Sequence, residues 1–257
     1  MTNSRLTSIS IVSHLQNDLV RLLLQDIQRY CTSPIEVILT INVPEEESLD
    51  PSAYRFPVTI IRNEMPRGFG ANHNAAFKIS KGDFFCVINP DIRFDKDPFP
   101  ALHSCLQEDG AGVAAPVVLG ADGTVEDSAR RFPTPLIILC KAVGGCKGGD
   151  YMLKDEIIFP DWVAGMFMLF RREVFDKLGG FDERYFLYYE DVDLCARMRL
   201  QGYKVALCPA AKVIHHAQRS SHRDLKFMKL HLTSMLRFFL TPPFWKVCWL
   251  RLTGKSL

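Results

Sequence analysis

The stretch WVAGMFMLFRREVFDKLGGFDERYFLYYEDVDLCARMRLQGYKV, residues 162–205, decides how the chain is read. Its first part, residues 162–170, is continuously apolar and reads as a buried strand. A short helix is expected over residues 171–178, ended by Gly179-Gly180. An aromatic run follows, from Phe181 through Tyr185, Phe186, Tyr188 and Tyr189. Glu190-Asp191-x-Asp193 then opens a helix expected over 190–200 and closed by Gly202. Carboxylates in a first helical turn are favoured by the helix dipole alone. A carboxylate at a helix start beside aromatic rings is also suited to act as a general base against a bound saccharide.

Upstream, strands are expected at residues 6–13, 35–41, 56–61, 83–88 and 112–119, with helices at 15–30, 71–79 and 97–107. Such alternation predicts an α/β fold, a mostly parallel central sheet with helices on both faces. Asn89-Pro90-Asp91 lies just past the fourth strand, at the sheet edge where open α/β folds bind ligands. A short carboxylate such as Asp91 suits Mg²⁺ or Mn²⁺, although Asp beside Pro is also ordinary turn chemistry. Gly68-Phe69-Gly70 precedes a helix start, where phosphate can bind, but the sequence is neither a P-loop nor GxGxxG. Downstream, residues 205–208 read as a strand and 225–240 as an amphipathic helix stopped by Pro242-Pro243, while the Gly- and Pro-rich region 121–161 has only one apolar stretch, 136–143.

Charge is divided unevenly. The net charge is +2, yet residues 194–257 hold 12 Lys/Arg against Asp224 alone, so the rest of the chain is acidic. A basic C-terminal part is expected to meet an anionic partner, unless it is a solvated face. Lys and Arg alternate there with Leu225, Phe227, Met228, Phe238, Phe244, Trp245 and Trp249, a composition suited to an anionic membrane surface or to packing on the domain. No nucleic-acid motif accompanies it, so nucleic acid is not expected as a partner. The eight cysteines include no CxxC pair, there is no long apolar run, and the N-terminal apolar stretch is short for a secretory signal. A cytoplasmic location is expected, peripheral at the inner face of the cell membrane if the basic segment binds lipid.

Five blocks, in order, resemble family 2 glycosyltransferases with the GT-A fold: ISIVSH (9–14), RGFGANHNAAF (67–77), VINPD (87–91), the 162–205 block, and VIHHAQRSS (213–221). EDSARRFPTP (126–135) is similar to a stretch of the rhamnosyltransferase-like members that build bacterial surface polysaccharides, including O-antigen. The resemblance implies a catalytic domain over 1–222 and a basic appendage over 223–257. It implies metal-dependent, inverting transfer from a nucleotide-diphosphate sugar, dTDP-rhamnose among the donors, to a saccharide carried on a polyprenyl diphosphate. Asp191 is then the base, with Glu190 as runner-up, and Asp91 and His215 hold Mg²⁺ or Mn²⁺. Ser13, Asn42, Gly70, Asn74 and Asn89 stand where the resemblance implies donor contacts. Arg130 and Arg131 would meet phosphates, and Trp162, Gly165 and Tyr189 would wall the acceptor; core packing explains Trp162 equally well. One departure stands out: the family's second strand usually ends in an Asp that contacts the base, and Asn42 occupies that region here. The competing expectations are a nucleotidyltransferase, which lacks its basic Gly-rich loop after the first strand, and a non-catalytic nucleotide-sugar binder.

Overall fold

The computed structural model describes residues 5–45, 49–135, 138, 150–152, 155–216 and 225–254. The stretch 136–143 therefore lies almost wholly outside the described residues, as do 217–224.

An eight-stranded sheet runs in the order β3-β2-β1-β4-β9-β6-β10-β5. Its strands are β1 (Thr7–Ser13), β2 (Ile35–Ile41), β3 (Val58–Arg62), β4 (Phe84–Ile88), β5 (Ile92–Arg93), β6 (Ala111–Gly120), β9 (Phe167–Arg171) and β10 (Lys204–His215). β7 (Ala129–Arg130) and β8 (Trp162–Val163) form a separate ribbon. The helices are α1 (Asn17–Tyr30), α2 (Phe69–Ile79), α3 (Phe99–Cys105), α4 (Arg172–Lys177), α5 (Glu190–Leu200), α6 (Leu225–Phe239) and α7 (Pro242–Leu252). Within the eight-stranded sheet the pairings are parallel except β4–β9, β6–β9 and β10–β5, and the β7–β8 ribbon is antiparallel.

Each central strand is buried on both faces, so its side chains divide by the two-residue period. Phe85 and Val87 of β4 join one apolar cluster, and Cys86 and Ile88 the other. α1 and α3 cover the second cluster through Leu23, Leu24, Phe99 and Leu102. α2, α4, α5, α6 and α7 cover the first, through residues such as Phe175, Leu194, Phe238 and Val247.

Three expectations are corrected here. The strand expected over residues 162–170 is two strands in two sheets, because the chain turns at Gly165-Met166. Pro242-Pro243 ends α6 as expected, but proline also fits a first helical turn, and the same pair starts α7. Within the basic segment, Phe238, Phe244 and Val247 are buried in the cluster that holds Phe85. β10 also runs well beyond residue 208, with a register shift between Cys208 and Lys212.

Candidate active site

The carboxyl ends of β1, β2, β3, β4, β6 and β10 share one sheet edge, as the parallel pairings and the antiparallel β9 between β4 and β6 require. Asn89 to Asp91 leave this edge from β4. β5 then pairs antiparallel with β10, placing Ile92 opposite His215. That register, reinforced by the His216 N–H donating to the Asp91 carbonyl at 2.9 Å, brings the two side chains together. Asp26 anchors β5 by accepting from the Arg93 guanidinium at 2.5 and 2.9 Å and from the Phe94 N–H at 3.1 Å.

At this corner His215 Nε2 lies 3.2 Å from Asp91 Oδ2, and His215 Nδ1 lies 2.8 Å from Glu126 Oε2. The hydrogen bond to Asp91 and the two carboxylate charges raise the imidazole to about 9, against burial, which lowers it. The two carboxylates therefore favour the protonated ring. Asp91 Oδ1 is buried with no hydrogen-bond partner, and a buried orphan acceptor calls for a ligand. Among the described residues no three His, Cys, Asp or Glu side chains are placed to share one metal ion. A small hard cation nevertheless commonly takes only one or two protein carboxylates, with phosphate and water completing its shell. Asp91 and a deprotonated His215 fit that donor set.

The second corner is the start of α5. Tyr188 and Tyr189 both have left-handed backbones, with φ of 69° and 68°. Non-glycine residues in that region cost of order 1–3 kcal/mol each and persist only where neighbours hold them. α6 is the neighbour. Ser234 Oγ donates to the Leu187 carbonyl at 2.8 Å, and the His231 ring packs on Tyr188 and Tyr189 with centroids 5.2 and 5.3 Å away. The strained turn launches the three carboxylates in different directions. Asp193 is buried and bound to Arg197 at 2.7 Å, and that guanidinium also donates to the carbonyls of Leu178 and Gly180. Glu190 is 4% exposed, and its Oε2 has no partner. Burial, then the neighbouring Asp191 charge, raise its carboxyl well above the usual range. Asp191 is partly exposed, with Oδ2 accepting the Gly165 N–H at 2.9 Å and Oδ1 the Val192 N–H at 2.8 Å. Burial raises its carboxyl too; the two N–H groups and the Arg130 charge oppose the rise.

Gly165 and Met166 join the two corners. Asn89 N–H donates to the Met166 carbonyl at 2.9 Å, one residue from the Gly165 N–H that holds Asp191. Arg130 stands alongside. β7–β8 pairing sets it opposite Trp162, with its guanidinium 5.4 Å from that ring, and it is tied to Asp127 at 3.1 Å. Arg131 is exposed, lying 5.8 Å from the Tyr151 ring. Trp162 is buried and donates from Nε1 to the Arg131 carbonyl at 2.9 Å. Tyr189 is likewise buried, its ring against His231 and Phe238.

The residues expected to contact the donor are engaged chiefly with other groups of the protein. Ser13 Oγ donates to Glu45 at 2.7 Å and accepts from the Gln16 N–H at 3.2 Å. Asn42 Oδ1 accepts from the Arg67 N–H and from Asn63, both at 2.9 Å, while its Nδ2 donates to the Arg67 carbonyl at 3.0 Å. An aspartate could not make that last bond, which accounts for the amide where the resemblance led one to expect an acid. Both amide hydrogens of Asn74 are committed, to the Phe181 carbonyl at 2.8 Å and to Glu183 at 3.1 Å, and its Oδ1 accepts the Phe181 N–H. Gly70 is packing: a Cβ there would lie 2.6 Å from Phe181 Cβ. Asn74 and Gly70 thus hold the Gly-Gly-Phe turn against α2.

Sequence reading missed Glu126, quoted within a block but given no role, and Asn63, Asn72, His231 and Ser234. Glu126 lies 89 positions from its partner His215, so no local spacing could have linked them.

The chain matches the family described as "Glycosyltransferase like family 2" over residues 17–231. It is 30% identical over 213 residues to the N-acetylglucosaminyl-diphospho-decaprenol L-rhamnosyltransferase of Mycobacterium tuberculosis, covering 74% of this chain and 69% of that one. It is 44% identical over 196 residues to the O-antigen chain rhamnosyltransferase WbaN of Salmonella anatum, covering 73% and 58%. Among solved structures it resembles GalNAc-T7 with UDP, GalNAc and Mn²⁺ at a TM-score of 0.67 and 16% identity, covering 91% of this chain and about half, 48%, of that one. It also resembles the mannosyltransferase PcManGT of Pyrobaculum calidifontis, in complex with GDP-Man and Mn²⁺, at a TM-score of 0.62 and 16% identity, covering 95% and 68%. These likenesses identify the GT-A fold. With the family match spanning most of its length, and rhamnosyltransferases among its relatives, the chain belongs to the family 2-like glycosyltransferases.

Proposed function

We propose that the protein transfers a sugar, rhamnose from dTDP-rhamnose in the first instance, to a saccharide carried on a polyprenyl diphosphate. On this reading the reaction inverts the anomeric centre and serves surface-polysaccharide synthesis at the inner face of the membrane. The observation that carries it is the pair of links at Gly165-Met166, which set the partly exposed Asp191 carboxylate beside the Asn89-Pro90-Asp91 corner. Among the three carboxylates that open α5, Asp191 alone is partly exposed while Glu190 and Asp193 are buried, which suits single displacement.

Asp191 takes the proton of the acceptor hydroxyl as that oxygen bonds to the anomeric carbon. The bond from that carbon to the diphosphate oxygen breaks, and its electron pair leaves with the diphosphate. Burial makes the Asp191 carboxylate a stronger base than one in open water, and the Gly165 N–H fixes its direction. Glu190 is enclosed, and burial and the Asp191 charge raise its carboxyl well above the usual range, which favours Asp191 as the charged member of the pair. Arg130, near Asp191 and stacked by Trp162, supplies a fixed positive charge beside the reacting groups. Asp91 and His215 would hold the divalent cation, Mg²⁺ or Mn²⁺, whose chemistry when bound is to neutralise the leaving diphosphate. Glu126 orients the His215 ring through Nδ1.

The test is a panel of nucleotide sugars offered with Mn²⁺ or Mg²⁺ and a polyprenyl-diphosphate-linked saccharide. Product should form with a dTDP-sugar and carry the anomeric configuration opposite to the donor's. Retained configuration would overturn the single-displacement mechanism. Donor hydrolysis without any transfer would overturn the acceptor class.

A further inference from the structure

We infer that α6 and α7 together form a docking surface for an anionic phospholipid bilayer. α6 is amphipathic in an unusual sense, because both of its faces are apolar. One face carries Ser234 and Phe238 into the domain. The opposite face exposes Leu225, Met228, Leu232 and Leu236, whose spacing of three and four residues aligns them in one stripe. α7 repeats the division, with Phe244 and Val247 buried and Trp245 and Trp249 exposed at 62% and 65%. Isolated exposed apolar residues need no explanation, but a stripe of four with two exposed tryptophans on the next helix marks an interaction site.

Charge selects the occupant. Residues 225–254 contain five Lys/Arg and no Asp or Glu. Lys229 and Lys246 are exposed on the same helices. Basic residues interleaved with Leu and Trp on a helix surface match an anionic headgroup layer over hydrocarbon, with tryptophan at the boundary. No helix among the described residues is long and apolar enough to cross a membrane, so the pair would lie along the surface.

The surface is also well placed. The side of α6 opposite the stripe holds Tyr188, Tyr189 and Leu187 just before Asp191. One helix diameter, about 10 Å, therefore separates the lipid-facing stripe from the strained turn. An acceptor anchored in the bilayer would present its diphosphate and sugar at that depth. The inference rests on the lipid-linked acceptor reading for its purpose. Its test contains no sugar or nucleotide, so either can fail alone.

The full chain is floated with vesicles of phosphatidylcholine alone and of phosphatidylcholine mixed with phosphatidylglycerol. It should float with the mixed vesicles and far less with the neutral ones. Replacing Leu232, Leu236, Trp245 and Trp249 by Gln should abolish flotation while leaving the melting temperature within a few degrees. If that variant fails to fold, Lys229→Glu with Lys246→Glu decides. It touches no buried side chain and should weaken partition by roughly fivefold or more per lysine. Absence of wild-type flotation, or flotation indifferent to the charge reversal, overturns the inference. So does a wild-type dimer that the Gln variant turns into a monomer without any vesicle binding, since the face would then pair with a second copy.

Discussion

Asp191 and Gly165 lie 26 positions apart, yet the Gly165 N–H donates to Asp191 Oδ2 at 2.9 Å. A turn between two strands of different sheets thereby aims the first exposed carboxylate of α5. The bond also opposes the rise in basicity that burial alone would give.

Asp191→Asn keeps the Gly165 bond and removes the proton acceptor. Transfer should fall by about 10²–10⁴-fold with nucleotide affinity unchanged. Titration of nucleotide beside steady-state kinetics checks this, and equal loss of both would make Asp191 a structural residue.

The pH dependence follows from the same site. The Asp191 carboxyl is raised by burial, and a base must be deprotonated to act. The acid limb of kcat/KM should therefore lie above the ordinary aspartate value of about 3.9. A limb at that ordinary value would mean that the working base is solvated.

Glu190→Gln should stabilise the fold at neutral pH. The Glu190 carboxyl is raised well above its usual value by burial and by Asp191. Between the unfolded value, about 4.3, and the raised one, the folded state binds more protons than the unfolded state. Wild-type stability therefore falls as pH rises through that window. The variant lacks this slope, so its advantage should vanish at low pH. Each kcal/mol gained moves Tm by about 2–4 °C in a chain of this size, within reach of calorimetry at two pH values.

Asp91→Ala removes the buried oxygen that lacks a partner and one neighbour of His215. Nucleotide-sugar binding that depends on added Mn²⁺ should be lost in a thermal-shift titration, and metal-independent binding should remain. Unchanged metal dependence would locate the cation elsewhere.

Gly180→Ala tests the brace behind the aromatic turn. Gly180 has φ +70°, and a Cβ there would lie 2.4 Å from Asn74 Oδ1. The backbone alone costs of order 1–3 kcal/mol, and Asn74 must also release the Phe181 N–H. A marked fall in chemical-denaturation midpoint is expected. Gly179→Ala, at φ +73° with nothing near its Cβ, should cost only the backbone share.

Much of this was readable along the chain. β2 and α5 match their expected limits, and β1 and β4 fall within one residue of theirs, because continuous β-branched runs and a capped acidic helix are local signals. What escaped depends on tertiary pairing. The Glu126–His215–Asp91 row needs β5 to pair with β10 and β6 to turn back at its end, relations spread over more than a hundred positions. The left-handed Tyr188-Tyr189 pair carries no glycine to announce it, and only α6 makes it tenable. α7 was hidden because Pro242-Pro243 was read as a stop and not also as a start. The hydrogen bonds that Asn42 makes to Arg67 and Asn63, and Asn74 to Phe181 and Glu183, were equally hidden, since a motif does not say which way an amide points.

The family match ends at residue 231, inside α6. A shortened version stopping there would keep the His231 ring, yet it would lose Ser234, Phe238 and all of α7. Kinship and mechanical integrity therefore draw different borders on this molecule, and anyone trimming it for crystals or assays should cut by the second.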